Sequence, residues 1–144
     1  MTGAWVVFAA VALALAFGGY RRLTDGRAKT VRPGAEQRLD AVRLGGSLGN
    51  EATLVQFSSS FCAPCRSTHR LLADVTATRP SVTHIDIDAE RNLDLIEEFA
   101  ITRTPTVLLL DASGAVRQRL VGAARRPEVL KALDLLADPS ASRT

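Results

Sequence analysis

Cys62 and Cys65 stand three residues apart, and they are all the cysteine this chain has. Two cysteines cannot staple a scaffold, so a hydrophobic core must hold the fold while the pair forms one chemical site. The composition allows this: 47% of residues are apolar and 23% charged, a globular balance rather than a disordered one. A length of 144 residues suits one domain and rules out two large ones. The pattern around the pair constrains the fold most. Ala52–Phe57 (ATLVQF) reads as a short apolar strand, and a helix runs from Cys62 to about Thr78. Pro64 falls in its first turn, where a missing N–H costs nothing, and Pro80 ends it. Cys62-Ala63-Pro64-Cys65 thus sits where a strand gives way to a helix.

The rest of the chain extends this alternation. Leu71, Leu72 and Val75 lie at helical spacing. Val82–Ile87 alternates as a strand. Glu90–Ala100 reads as an amphipathic helix with Leu93, Ile96 and Phe99 on one side. Thr106–Leu110 is an apolar run with the character of a buried strand. Ser113-Gly114 makes a turn, Ala115–Val121 returns, and Pro127–Ala137 closes with a helix burying Val129, Leu130, Leu133 and Leu136. The order β-α-β-α-β-β-α predicts an α/β fold: a mixed central sheet with helices on both faces.

The N-terminus differs. Ala4 to Tyr20 is an uncharged run, AWVVFAAVALALAFGGY. It spans roughly 25 Å as a helix, and extension back to Met1 closes most of the gap to a ~30 Å hydrocarbon core. It has no polar face, which argues against a buried core helix. Met1-Thr2-Gly3 carries no Lys or Arg, as a signal peptide would require, whereas Arg21, Arg22, Arg27, Lys29 and Arg32 follow the run. The positive-inside rule then places the C-terminal side in the cytoplasm. A cleaved or outward-facing version is the competing reading. Residues 1–20 are taken as a transmembrane anchor, 21–50 as a basic linker, 51–138 as the folded domain and 139–144 as a tail. Within the linker, Glu36–Leu44 could be a short helix or a strand.

Charge excludes one class of partner. Residues 1–50 carry seven Lys/Arg against three Asp/Glu, and residues 51–144 carry eleven against twelve. The basic excess lies outside the domain, so no nucleic acid is expected as a partner.

At a helix start, backbone N–H groups and the helix dipole stabilise an anion, here the thiolate of Cys62. Thiolate, not thiol, attacks a disulfide. Lowering a cysteine pKa from about 8.5 to about 7 amounts to roughly 2 kcal/mol of thiolate stabilisation. At pH 7.5 it raises the reactive fraction from about one tenth to about three quarters. Cys65, one turn on and beneath, can attack the mixed disulfide that Cys62 forms and release the reduced product.

FSSSFCAPC (57–65), the Thr104-Pro105-Thr106 step and Val121-Gly122 together resemble the thioredoxin superfamily over roughly residues 50–137. With the apolar N-terminal run, the chain is similar to membrane-anchored thioredoxin-like proteins of bacteria. The resemblance implies a thioredoxin fold with Cys62 as nucleophile, Cys65 as resolving thiol and a cis Thr104–Pro105 bond. Pro64, Thr104 and Pro105 would position the substrate. It implies no metal and no cofactor beyond the Cys62–Cys65 disulfide. The partners would be a disulfide-containing protein substrate and an upstream electron donor. Four positions depart from the family's usual pattern: Gln56 where a buried Asp is common, Phe61 for Trp, Ala63 for Gly and His84 for Lys. Of these, Gln56 matters most, because an amide cannot take a proton from the resolving thiol.

Other residues admit plain readings beside sharper ones. Cys62, Cys65 and His69 could be three zinc ligands, but no fourth is evident and His69 reads as a solvent-facing helix residue. His84 could relay protons for Cys65 or be a satisfied strand histidine. Asp86, Asp88 and Glu90 read as solvated edge residues and a helix cap. Arg125-Arg126-Pro127 reads as a helix start. Ser58-Ser59-Ser60 suggests a loop with no bulky cover over the site.

Three functions fit the pattern. The first is a membrane-tethered thiol–disulfide oxidoreductase reducing disulfides at the cytoplasmic face. The second is the same chemistry outside the cytoplasm, serving protein or cytochrome maturation. The third is a non-catalytic binding module or thiol carrier.

Overall fold

In a computed structural model of the chain, residues 2–24, 28–30 and 37–138 are described. The tail at 139–144 and the linker residues 25–27 and 31–36 lie outside the described residues. Helix α1 (Thr2–Thr24) projects its large apolar side chains, among them Trp5, Phe8, Leu13 and Phe17, away from protein contact. Its Gly3–Arg21 stretch is long and apolar enough to cross a membrane or to serve as a signal sequence.

The domain is built on β1 (Ala28–Thr30), α2 (Ala41–Leu44), β2 (Ala52–Ser58), α3 (Ala63–Thr78), β3 (Val82–Asp88), α4 (Leu93–Glu98), β4 (Thr106–Asp111), β5 (Val116–Val121) and α5 (Arg126–Ala137). Among the described residues, five strands form one mixed sheet in the order β1-β5-β4-β2-β3. Strand β2 is parallel to β3 and antiparallel to β4, and β5 is antiparallel to both β4 and β1. The period-2 alternation of β2 and β4 sends Leu54, Val107 and Leu109 into one core with Leu72, Val75, Val129 and Leu133 of α3 and α5. Val55, Phe57, Leu108 and Leu110 enter a second core on the other face with Leu95 and Phe99. Both faces are therefore covered, as the α/β order predicts.

Three details depart from the sequence-based expectations. Part of the stretch read as a linker packs onto the domain. Leu39 and Leu44 are buried in the second core, and Arg38 bridges to Ala115 beside β5. The open choice at Glu36–Leu44 resolves over residues 41–44 as one helical turn. Asp40 caps it by accepting the Arg43 N–H at 2.8 Å, and Gly45, at φ +64°, ends it. Ala28–Thr30 adds an edge strand that pairs antiparallel with β5. Helix α4 is shorter than the Glu90–Ala100 expected. Asp88 accepts the Glu90 N–H and its carbonyl accepts from Asn92 Nδ2, so residues 88–92 form a turn before the helix begins. At its other end, the Arg119 guanidinium donates to the carbonyls of Phe99 and Ala100, satisfying helix-end acceptors.

Candidate active site

The C-terminal end of β2 and the N-terminal end of β4 converge on α3. Cys62 is the N-cap of α3, in extended backbone conformation, and its Sγ accepts the Cys65 N–H at 3.1 Å. That bond and the helix N-terminus supply the anion-stabilising field that the sequence position suggests. The two sulfurs are joined in a disulfide, with Cα atoms 5.2 Å apart. Cys62 is half-buried, whereas Cys65 is only 3% exposed. An incoming disulfide can therefore meet Cys62 but not Cys65. Pro64 lies in the first turn of α3 and is exposed, with its carbonyl accepting from Ser67 Oγ.

The Thr104–Pro105 peptide bond is cis, and Pro105 is buried. Two bonds tie this loop to its neighbours. The Gly122 N–H donates to the Pro105 carbonyl at 2.8 Å, and the hydroxyls of Thr104 and Ser59 lie 3.2 Å apart. Cys62, Cys65, Thr104 and Pro105 thus share one end of the sheet. Phe61, beside Cys62, is 98% exposed. The Ser59–Thr104 tie was not legible in the sequence, because it depends on the β2–β4 register.

Behind the cysteines runs a polar chain. Gln56 points to the α3 face of β2, by the same alternation that buries Leu54. It is fully buried, and its Nε2 donates to the Cys65 carbonyl at 2.9 Å. Its Oε1 lies 3.2 Å from His84 Nε2, so the imidazole carries a proton there. The pairing of Leu54 with His84 and Gln56 with Asp86 puts both β3 residues on this face. The His69 ring stands 4.9 Å from that of His84, and its Nδ1 is 3.1 Å from Asp86. Asp86 also accepts from Ser58 Oγ. His84 is therefore a satisfied histidine tied to the site, and His69 turns to Asp86.

Burial pushes the His84 pKa down to about 4, helped by the neighbouring His69 and opposed by Asp86. Between pH 6.5 and 4 the unfolded chain binds a proton at this residue that the folded chain refuses. Stability should therefore fall as pH drops through that window. The full shift caps the loss at about 3 kcal/mol, and part exposure of the ring reduces it to about 1–2 kcal/mol. Urea unfolding at pH 7.5 and pH 4.5 should show His84→Asn losing that much less stability than the wild type. Equal losses would contradict a neutral His84.

The family model described as a thioredoxin-like domain matches residues 46–137, which holds every element from β2 to α5. The chain belongs to the thioredoxin-like domain family. It is 33% identical over 87 residues to thioredoxin H4-2 of Oryza sativa subsp. japonica, covering 60% of this chain and 64% of that protein. It is 29% identical over 87 residues to the thioredoxin of Mycolicibacterium smegmatis, covering 58% and 77%. Among solved structures, thioredoxin NaTrxh of Nicotiana alata superposes with a TM-score of 0.52 at 30% identity, over 61% of this chain and 73% of that one. Fasciola hepatica thioredoxin shares the fold at 20% identity, with a TM-score of 0.53 over 60% and 81%. The chain spans less than two thirds of the length of the rice thioredoxin. Within the thioredoxin-like fold, the buried position under Cys65 holds the Gln56 amide, linked to His84. No carboxylate stands there.

Proposed function

We propose that the chain is a membrane-tethered thiol–disulfide oxidoreductase that reduces disulfides through Cys62 and Cys65. The observation that carries this reading is the asymmetry of the pair: a half-exposed Cys62 at a helix N-terminus and a buried Cys65 one turn on, beside a cis proline. The Cys62 thiolate attacks a substrate disulfide, forming a mixed disulfide and expelling one substrate thiolate. Cys65 then loses its proton and attacks Cys62 Sγ, and the second substrate thiolate leaves. Two electrons pass to the substrate and the Cys62–Cys65 disulfide forms. Pro64, Thr104 and Pro105 hold the substrate chain beside the sulfurs.

The partners in this reading are a disulfide-containing protein substrate and an upstream electron donor that restores the dithiol. The anchor is α1. The basic flank Arg21, Arg22, Arg27, Lys29 and Arg32 favours a cytoplasmic domain. Reduced chain should turn over the disulfides of insulin, and no turnover would overturn the assignment. Alkaline phosphatase fused after Thr144 should be inactive in cells. An active fusion would move the same chemistry outside the cytoplasm.

A further inference from the structure

The edge strand β1 fixes which end of the domain lies nearest α1. Ala28 pairs with Leu120 and Thr30 with Gln118, antiparallel to β5. The C-terminal end of β5 is the active-site end of the sheet: Val121 pairs with Thr106, and the Gly122 N–H binds the Pro105 carbonyl. The chain therefore enters the sheet at the end that holds the cysteines. Residues 38 and 39 lie at the opposite end, where Arg38 bridges to Ala115 and the Leu39 N–H donates to the Gly114 carbonyl.

The reach from α1 is short. Only residues 25–27 separate Thr24 from Ala28. Four Cα steps of 3.8 Å cannot exceed about 15 Å. From β1, two strand spacings, about 10 Å, lead across β5 to β4, the strand that Pro105 precedes. The β4–β5 turn at the far end lies about 20 Å further off, the length of β5. Charge agrees with this placement. Arg125 and Arg126, both exposed, begin α5 just after Gly122 at the site end, and α5 packs against β1. Near an anionic leaflet, arginines at this position are attracted to lipid phosphates.

We infer that the Cys62–Cys65 site faces the membrane from which α1 emerges, and that its partner is a membrane-anchored protein presenting a disulfide or dithiol close to the headgroups. This rests on the reading of the pair as a redox dithiol and of α1 as an anchor. Electrons pass by the same exchange: a partner disulfide is reduced as Cys62–Cys65 oxidises, or a partner dithiol is oxidised as the pair is reduced.

The test has two arms, both on the full chain in vesicles of phosphatidylcholine and phosphatidylglycerol. In the first, Cys65→Ser leaves Cys62 as the only thiol, and a dye placed on it donates energy to a headgroup acceptor. A second chain, Ala112→Cys with Cys62→Ser and Cys65→Ser, carries the dye in the exposed β4–β5 turn. Transfer should be stronger from Cys62 than from position 112. Equal transfer or the reverse order would overturn the orientation.

In the second arm, reduced chain cleaves a fluorophore attached by a disulfide either to phosphatidylethanolamine in the bilayer or to soluble glutathione. Inserting 20 Gly/Ser residues after Gly26 should lower the lipid-anchored rate about tenfold, through the fall of effective concentration with tether length. The soluble rate should stay unchanged. An unchanged lipid-anchored rate would overturn the membrane-facing partner alone. Loss of both rates in the uninterrupted chain would overturn the redox reading, and with it the partner, while the dye order still decides the orientation.

Discussion

Cys62→Ser abolishes turnover of insulin disulfides, a fall of at least about 10³-fold, because no other residue can supply the attacking sulfur. Cys65 does not substitute for it: it is buried beneath the helix end, out of reach of a protein disulfide. The converse variant separates the roles. Cys65→Ser retains the exposed nucleophile and loses the resolving step, so each molecule stops after one attack. A mixed disulfide should then accumulate and be visible as a stable mass adduct that dithiothreitol removes. Retained turnover in Cys62→Ser would remove the nucleophile assignment. Free turnover in Cys65→Ser would show that resolution uses an external thiol.

The second large effect concerns stability. Gly114 turns the β4–β5 hairpin at φ +82°, and a Cβ there would stand 2.2 Å from the Leu39 carbonyl oxygen. The turn has little freedom to yield. Asp111 accepts the N–H groups of Ser113 and Ala115, the Ser113 hydroxyl and Arg117 Nε. Burial raises the Asp111 pKa, but these bonds outweigh it and hold the carboxyl below its ordinary value. Leu39, pinned by its N–H to Gly114, in turn anchors the 37–44 segment over the second core. Gly114→Ala combines left-handed backbone strain with overpacking against backbone, a cost of about 3 kcal/mol or more. For a domain of this size the midpoint of thermal unfolding should fall by about 10 °C. A fall of less than about 3 °C would mean that the turn and the segment over it relax independently.

The parts of this molecule that depend on local sequence were legible in it. The largely apolar runs at 52–57 and 106–110 identified the two central strands, because a strand buried on both faces is apolar almost throughout. A cysteine followed two residues later by proline marked the start of α3, since Cys62 acts as the cap and Pro64 has no N–H to lose. What depends on register was not legible. His84 meets Gln56 only because β3 pairs in parallel with β2 at Leu54, and no pattern within either strand specifies that offset. Ala28–Thr30 carries no strand signal. It is held by backbone bonds to β5, and short edge strands need no apolar side chains. Leu39 and Leu44 look like ordinary residues of a glycine-rich linker until the second core is seen to need cover on that side.

Gln56 separates this site from one built on a buried carboxylate. An amide bonded to the Cys65 carbonyl and to a neutral His84 is itself no base for the Cys65 thiol. In the proposed exchange the Cys65 proton therefore goes to a group other than Gln56.

The central claim, that Cys62 and Cys65 form a reducing dithiol, is tested most directly by the reduction potential of the pair. The detergent-solubilised full chain is equilibrated against defined thiol buffers, and its free thiols are trapped and counted. One two-electron transition is expected below about −220 mV, in the range of thioredoxin at about −270 mV. A potential above about −180 mV, where oxidants and isomerases work, would contradict a reductase. The absence of any clean two-electron transition would contradict the dithiol itself.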